Sequence, residues 1–254
     1  MTSNVLLNDY LKRLRLPTIA KNYERLSSEA VTNNANYLEY LLCLLEQEVQ
    51  TREESTKKER ISHAKFPALK TLDSFKFEEV PALNKNLVLA LFRGQYIQQT
   101  ENIVFLGGHG TGKTHLAIAL GIQACNAGKR VRYFTVADLV HQLLEAREEK
   151  QVLRYQQQLG RYDLLVLDEL GMIDCPQDGS NLLFQVISSR YERRSTIITT
   201  NLEFKDWPSV FGTQKLTSAL LDRLIHRCHI LEVNGESYRF KESLRRKKNN
   251  KEAA

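Results

Sequence analysis

The chain has 254 residues, 42% of them apolar, and a formal charge of +6. That is room for one α/β domain with a real core plus a smaller appendage, and the mild positive balance permits a nucleic-acid partner without requiring one. Cys43, Cys125, Cys175 and Cys228 lie far apart with no C-x-x-C spacing, which argues against zinc and for reduced thiols. With no signal-peptide layout and no apolar run of membrane-spanning length, the expectation is a cytoplasmic protein with no membrane partner.

Residues 1–65 read as a small all-helical domain. Leu6, Leu7, Tyr10, Leu11 and Leu14 recur at helical spacing, and Pro17 marks a break or a new start. A second helix covers Ile19 to Leu26. The run Asn33-Asn34-Ala35-Asn36 is a loop offering N-caps to a long helix from Tyr37, which becomes strongly charged between Glu46 and Arg60. Such a stretch reads either as a solvated face laced with i,i+4 pairs or as a DNA- or partner-binding module. Near Lys65-Phe66-Pro67 the pattern changes. Phe75 and Phe77 lie on a short extended piece, Phe77 being a candidate wall for a base pocket or a core residue, and Asn84 to Arg93 is an amphipathic helix.

The apolar strand Ile103 to Leu106 runs straight into Gly107, Gly108, His109, Gly110, Thr111, Gly112, Lys113, Thr114 and His115, and a helix follows. This is the G-x-x-x-x-G-K-T phosphate loop in its proper setting, strand before and helix after. Gly107, Gly110 and Gly112 let consecutive backbone N–H groups curl around a polyphosphate, and the helix N-terminus adds partial positive charge there. Lys113 can neutralise the β- and γ-phosphates, and the Thr114 hydroxyl can ligate Mg²⁺. The expected ligands are therefore ATP and Mg²⁺.

Gly128 ends that helix and Val131 to Phe134 is the next strand, followed by a helical stretch from Ala137 to Arg154. Tyr162 to Glu169 is an apolar strand ending in two acids. Asp168 is placed to hold Mg²⁺ and Glu169 to orient the lytic water as a base, a pairing that favours hydrolysis over transfer to a small molecule. After a helix from Asn181 to Tyr191 comes the strand Ser195 to Asn201. The C-terminal ends of parallel strands converge on the ligand, so Asn201 can reach the γ-phosphate or the water. Arg223, Arg227 and Arg239 follow, with a strand over Ile230 to Val233 between the last two. As isolated charges these arginines read as surface. The tail 241–254 is basic.

The order of these motifs resembles the initiator-type AAA+ ATPases of the DnaA/DnaC group. Within it the chain most resembles the IstB-like ATP-binding proteins, transposition helpers encoded beside an insertion-sequence transposase. The resemblance rests on Ala64 to Leu72, Gly107 to His115, Asp168-Glu169-Leu170-Gly171, Thr199-Thr200-Asn201, Leu221 to Leu224 and Gly235 to Arg239, and covers essentially the whole length. It implies an AAA+ P-loop domain over 66–240, with a central parallel sheet flanked by helices, after the helical N-terminal domain. It implies Lys113, Asp168, Glu169 and Asn201 as the catalytic set, with Arg223 as a finger reaching a neighbouring subunit and Arg239 as a second sensor. The stretch carrying Arg147, Lys150 and Arg154 sits where such proteins have a DNA-facing insertion. The implied function is an ATPase that forms homo-oligomers on double-stranded DNA and assists a cognate transposase. The short C-terminus departs from typical AAA+ proteins, leaving no room for a full helical lid. The alternatives are a DnaC-like helicase loader, sharing the same core, and a small-molecule P-loop kinase, which would need neither the Thr-Thr-Asn strand nor the two arginines.

Overall fold

Apolar runs with polar ends recur along the chain, and each becomes a strand of one sheet. The computed structural model describes residues 3–172, 176–235 and 237–238; Cys175, Arg239 and the tail 241–254 lie outside them. The chain divides into two compact units, residues 1–59 and 60–254, a division that falls inside its longest helix.

In the first unit, α1 (Ser3–Arg13) and α2 (Pro17–Thr32) precede α3 (Tyr37–Ala64). Proline suits the first turn of α2 because it has no N–H to leave unpaired there. Asn36 and Glu39 cap α3 reciprocally: the Asn36 Oδ1 accepts from Glu39 N and the Glu39 carboxylate accepts from Asn36 N, each at 2.9 Å. Leu11, Ile19, Leu26 and Leu44 form a small core. One acid of the charged stretch is not solvated: Glu48 is buried. Its carboxylate accepts from Thr18 N at 2.8 Å, Ile19 N at 3.1 Å and Arg52 Nε at 2.8 Å. Two of those are orphan amides of the α2 N-terminus, so a side chain from α3 supplies the cap that α2 lacks locally. Burial alone would raise the Glu48 pKa; the bonds from Ile19 N, Arg52 and Thr18 N outweigh it and hold the carboxyl below its ordinary range.

In the second unit, the chain passes through a short 3-10 turn (Phe77–Glu79), α4 (Lys85–Leu91) and the single-turn α5 (Gln95–Gln98) into β1 (Asn102–Leu106). There follow α6 (Lys113–Asn126), β2 (Val131–Thr135), α7 (Val136–Glu148), α8 (Val152–Gly160), β3 (Leu164–Leu170) and α9 (Gln177–Arg190). Then come β4 (Ser195–Thr200), a second 3-10 turn (Phe204–Asp206), α10 (Pro208–Phe211), α11 (Gln214–Ile225) and β5 (Cys228–Glu232). The strands lie in the order β2-β3-β4-β1-β5, every pair parallel. Covered on both faces, β1 from Ile103 to Phe105, β3 from Leu164 to Leu167 and the middle of β4 are buried and apolar, while β4 carries polar residues at both ends and the edge strand β5 is partly exposed. Ile103, Phe105, Val166 and Ile197 pack with α6 on one face, while Val104, Leu165, Leu167 and Ile198 pack with α7, α9 and α11 on the other. α6 is buried continuously from Leu116 to Ile122, as befits a helix whose neighbours surround it.

Two polar side chains lock this sheet from within. Asn102 accepts from Thr196 N at 3.0 Å and donates to Leu224 O at 3.2 Å. The buried Arg190 donates to the carbonyls of Leu159, Tyr162 and Ser195 at 2.7 to 3.1 Å and to the Thr196 hydroxyl. Burial, and then the neighbouring Arg194, pull its pKa down to about 9.

Two sequence expectations are corrected. The stretch from Ala137 to Arg154 is two helices, because Lys150 takes a left-handed conformation (φ 59°). Gln151 N then bonds to Ala146 O at 2.7 Å and Lys150 N to Arg147 O at 3.0 Å, a Schellman end built without glycine. The Asp168-Glu169 strand does not stop at its acids but runs on to Leu170 through a bulge, with Glu169 at φ 64°.

Candidate nucleotide site

The site lies at the C-terminal edge of the sheet, where β1, β3 and β4 end side by side. β4 is inserted between the other two, so its terminal residues stand between the glycine loop and the acids of β3.

The loop from Gly107 to Gly112 is held open by left-handed backbone at Gly110 (φ 73°) and Gly112 (φ 106°). A Cβ at Gly112 would come within 2.6 Å of the Phe75 ring, and one at Gly110 would strike the Ser237 hydroxyl. Glycine is therefore required twice over, by conformation and by space. Lys113 opens α6, and its ammonium donates to Gly107 O at 2.7 Å and Gly108 O at 2.6 Å, so its charge is parked at the loop mouth. The N-terminus of α6 begins at Lys113 and adds partial positive charge at the loop. The loop and its lysine fit a polyphosphate.

At the tip of β3 the Asp168 carboxylate is buried and accepts from Thr114 Oγ1 at 2.9 Å, Tyr133 Oη at 2.7 Å and Thr199 Oγ1. Burial, and then the bond to Asp168, raise the Tyr133 pKa, keeping it a neutral donor. The Thr199 oxygen also accepts from Glu169 N at 3.0 Å. This bond fixes the bulged backbone that turns the Glu169 side chain out to solvent while Asp168 points in. Thr114 and Asp168 thus present two hard oxygens within hydrogen-bond distance of each other, a donor set that fits Mg²⁺. From the end of β4, Asn201 Nδ2 lies 3.3 Å from His109 Nε2, joining the expected sensor to the glycine loop.

A cavity of about 250 Å³ adjoins the loop, lined by Phe75, Val80, Ile118 and Tyr238 among apolar groups and by Lys70, Lys76 and Glu79 among charged ones. Its aromatic wall is formed by Phe75 and Tyr238. Phe77, the expected candidate, begins the 3-10 turn and meets Phe75 edge-on from behind, ring centres 5.0 Å apart. His115 faces this wall rather than the loop. Its Nε2 lies 2.8 Å from Thr71 O and 3.3 Å from the Ser74 hydroxyl, and its ring meets the Phe75 edge at 5.4 Å. Burial lowers its pKa, opposed by the Thr71 carbonyl. The segment after β5 completes the site: Tyr238 N donates to Gly110 O at 3.0 Å.

The remaining expected residues lie elsewhere. Arg223 is exposed on α11, its guanidinium 5.9 Å from the centre of the Phe184 ring. Arg147 bonds to Asp178 at 2.8 Å, and Arg154 lines a polar groove with Glu145 and Glu149. Lys150 is exposed at the α7–α8 turn. Sequence reasoning missed Tyr133, Thr199 and Phe75. The signal for the first was a tyrosine in a buried strand, whose hydroxyl must find a partner; for the second, its place two residues before Asn201.

Glycine loop, buried acid and intervening polar strand on this parallel sheet define a P-loop protein with the AAA+ fold. The fold of DnaA from Aquifex aeolicus bound to AMPPCP superposes with a TM-score of 0.53 at 22% identity, over 66% of this chain and 50% of that one. Residues 9–246 match the family described as IstB-like ATP binding protein, and the chain belongs to that family. It is 38% identical to an insertion sequence IS21 ATP-binding protein of Pseudomonas aeruginosa, over 91% of this chain and 88% of the relative. It is 36% identical to the corresponding IS5376 protein of Geobacillus stearothermophilus, over 93% and 94%.

Proposed function

We propose that the protein is a Mg²⁺-dependent ATPase that assembles on double-stranded DNA and assists the transposase of an insertion sequence. The observation that carries the reading is the hydrogen-bonded junction of Thr114, Asp168, Thr199 and Glu169 beside the glycine loop. The insertion-sequence relatives supply the biological setting.

In the proposed reaction Lys113 moves from the loop carbonyls to the β- and γ-phosphates, and the Gly110 to Lys113 amides hold their oxygens. Thr114 and Asp168 would hold Mg²⁺, which neutralises charge developing on the phosphates. Glu169 accepts a proton from water as its oxygen bonds to the γ-phosphorus, and the bond to the β,γ-bridging oxygen breaks to give ADP and phosphate. Asn201, positioned by His109, orients that water. Arg223 reaches the γ-phosphate of a neighbouring subunit, a role its exposure on α11 permits, so that assembly and hydrolysis are coupled. Arg239 is the proposed second sensor, and Arg147, Lys150 and Arg154 the proposed DNA contacts. Arg147 must exchange Asp178 for a phosphate to serve.

Arg223→Ala is expected to keep nucleotide affinity while abolishing turnover; normal turnover would remove the finger. Light scattering of Glu169→Gln with ATP, Mg²⁺ and a duplex of roughly fifty base pairs tests the whole reading. A large assembly requiring both ATP and duplex supports it. An ATP-bound monomer indifferent to duplex would favour the helicase-loader alternative.

A further inference from the structure

We propose that the outward face of α3 is a docking site for a basic amphipathic helix of a protein partner. The face is an apolar seam. Leu38, Leu42, Leu45 and Val49 alternate at spacings of four and three residues, the period at which one helix keeps the same stripe toward another. They are 43% to 74% exposed, although Leu44, on the opposite side of the same helix, is in the core of the unit. The helix therefore has two apolar sides and uses only one of them within its own unit. Four large aliphatic residues in line on a solvated helix mark an interaction surface.

Charge decides what fits it. Glu39, Glu46 and Glu53 recur every seven residues along one flank of the seam, and all three are exposed. The other flank holds Leu41, then Glu48, whose carboxylate is already committed to α2, then Ser55. Neither flank carries a cation; Arg52, which follows Val49 in the line of the seam, is held by the Glu48 carboxylate and the Arg15 carbonyl. A second copy laid antiparallel would set the glutamate row against itself, and one laid parallel would set it against Leu41, Glu48 and Ser55, so the seam selects against its own copy. Residues 1–59 hold eight Lys or Arg and nine Asp or Glu. The positive charge of the chain thus lies outside this unit, which is poorly suited to a phosphate backbone and well suited to a cationic peptide. The complement is a helix with leucine-like residues at heptad spacing and Lys or Arg beside them.

The test uses the full-length protein and two labelled synthetic helices with the same leucine seam, one flanked by Lys and one by Glu, followed by fluorescence anisotropy. The Lys helix is expected to bind saturably and at least about tenfold more tightly than the Glu helix. Glu46→Lys with Glu53→Lys reverses that preference. Leu42→Asp with Leu45→Asp removes binding of the Lys helix while thermal unfolding and nucleotide affinity stay unchanged, since both leucines are exposed. Equal affinity for the two helices, or binding that survives the paired leucine changes, overturns the proposal. So does a dimer in sedimentation that Leu45→Asp disperses, which would make a second copy the occupant. Removal of residues 241–254 that tightens Lys-helix binding tenfold or more would assign the face to the chain's own tail, and equally overturns it.

Discussion

Two buried carboxylates, one in each unit, show how a protein makes the same group serve opposite ends. Glu48 and Asp168 are each 2% exposed. Glu48 is met by two backbone amides, which cannot leave without undoing the start of α2, and by the Arg52 guanidinium from its own helix. Asp168 is met by hydroxyls from Thr114, Tyr133 and Thr199. A hydroxyl can rotate and accept as well as donate, so the Asp168 shell can reorganise around an arriving cation, whereas the Glu48 shell is already neutralised. Burial does not separate the helix-capping acid from the proposed metal ligand. The donors do.

That contrast can be broken from either side. The largest effect is expected at the β3 acids: Glu169→Gln should lower ATP turnover by about 100-fold or more while nucleotide affinity is retained, read by phosphate release beside equilibrium titration. Glu48→Gln should weaken the first unit by about 2 kcal/mol, seen as faster amide exchange in the first turns of α2, with turnover untouched. Because the Glu48 carboxyl is held below its ordinary range, its contribution is present in full above that range and is lost as pH falls through the depressed value. In Glu48→Gln the acid loss of α2 protection should flatten. Thr199→Val should cost about tenfold in turnover, by freeing the Glu169 backbone from its bulged geometry; a value at the wild-type level would make that hydroxyl purely structural. Phe75→Ala should weaken nucleotide binding by a smaller factor, roughly fivefold, as ring contact is lost from the cavity wall.

Much of the second unit was legible because its signals are local. A strand running into G-x-x-x-x-G-K-T, two acids after apolar residues and a polar end to β4 each declare themselves within ten residues or so. The parallel sheet was implied by the family those motifs resemble, and β4 brings Asn201 to the loop as the strand polarity requires. What was not legible depends on partners far along the chain. Nothing near Glu48 shows that it caps a helix some thirty residues earlier, and Tyr133 reads as strand filler until β3 sets Asp168 beside it. Phe75 and Phe77 are indistinguishable until the 3-10 turn puts one in front of the other. The break at Lys150 escaped because a left-handed lysine carries no glycine to announce it.

The strand order also sets a timetable for the chain as it leaves the ribosome. β1 is the first strand made, yet its neighbours are β4 and β5, the last two. β2 and β3 are adjacent and can pair as soon as both exist. The strand that carries the phosphate loop therefore has both edges bare until residues 195–200 have been synthesised, and one edge bare until residues 228–232 follow. The interval before β4 arrives is when a chaperone, or another unfinished copy, has its best access to that edge.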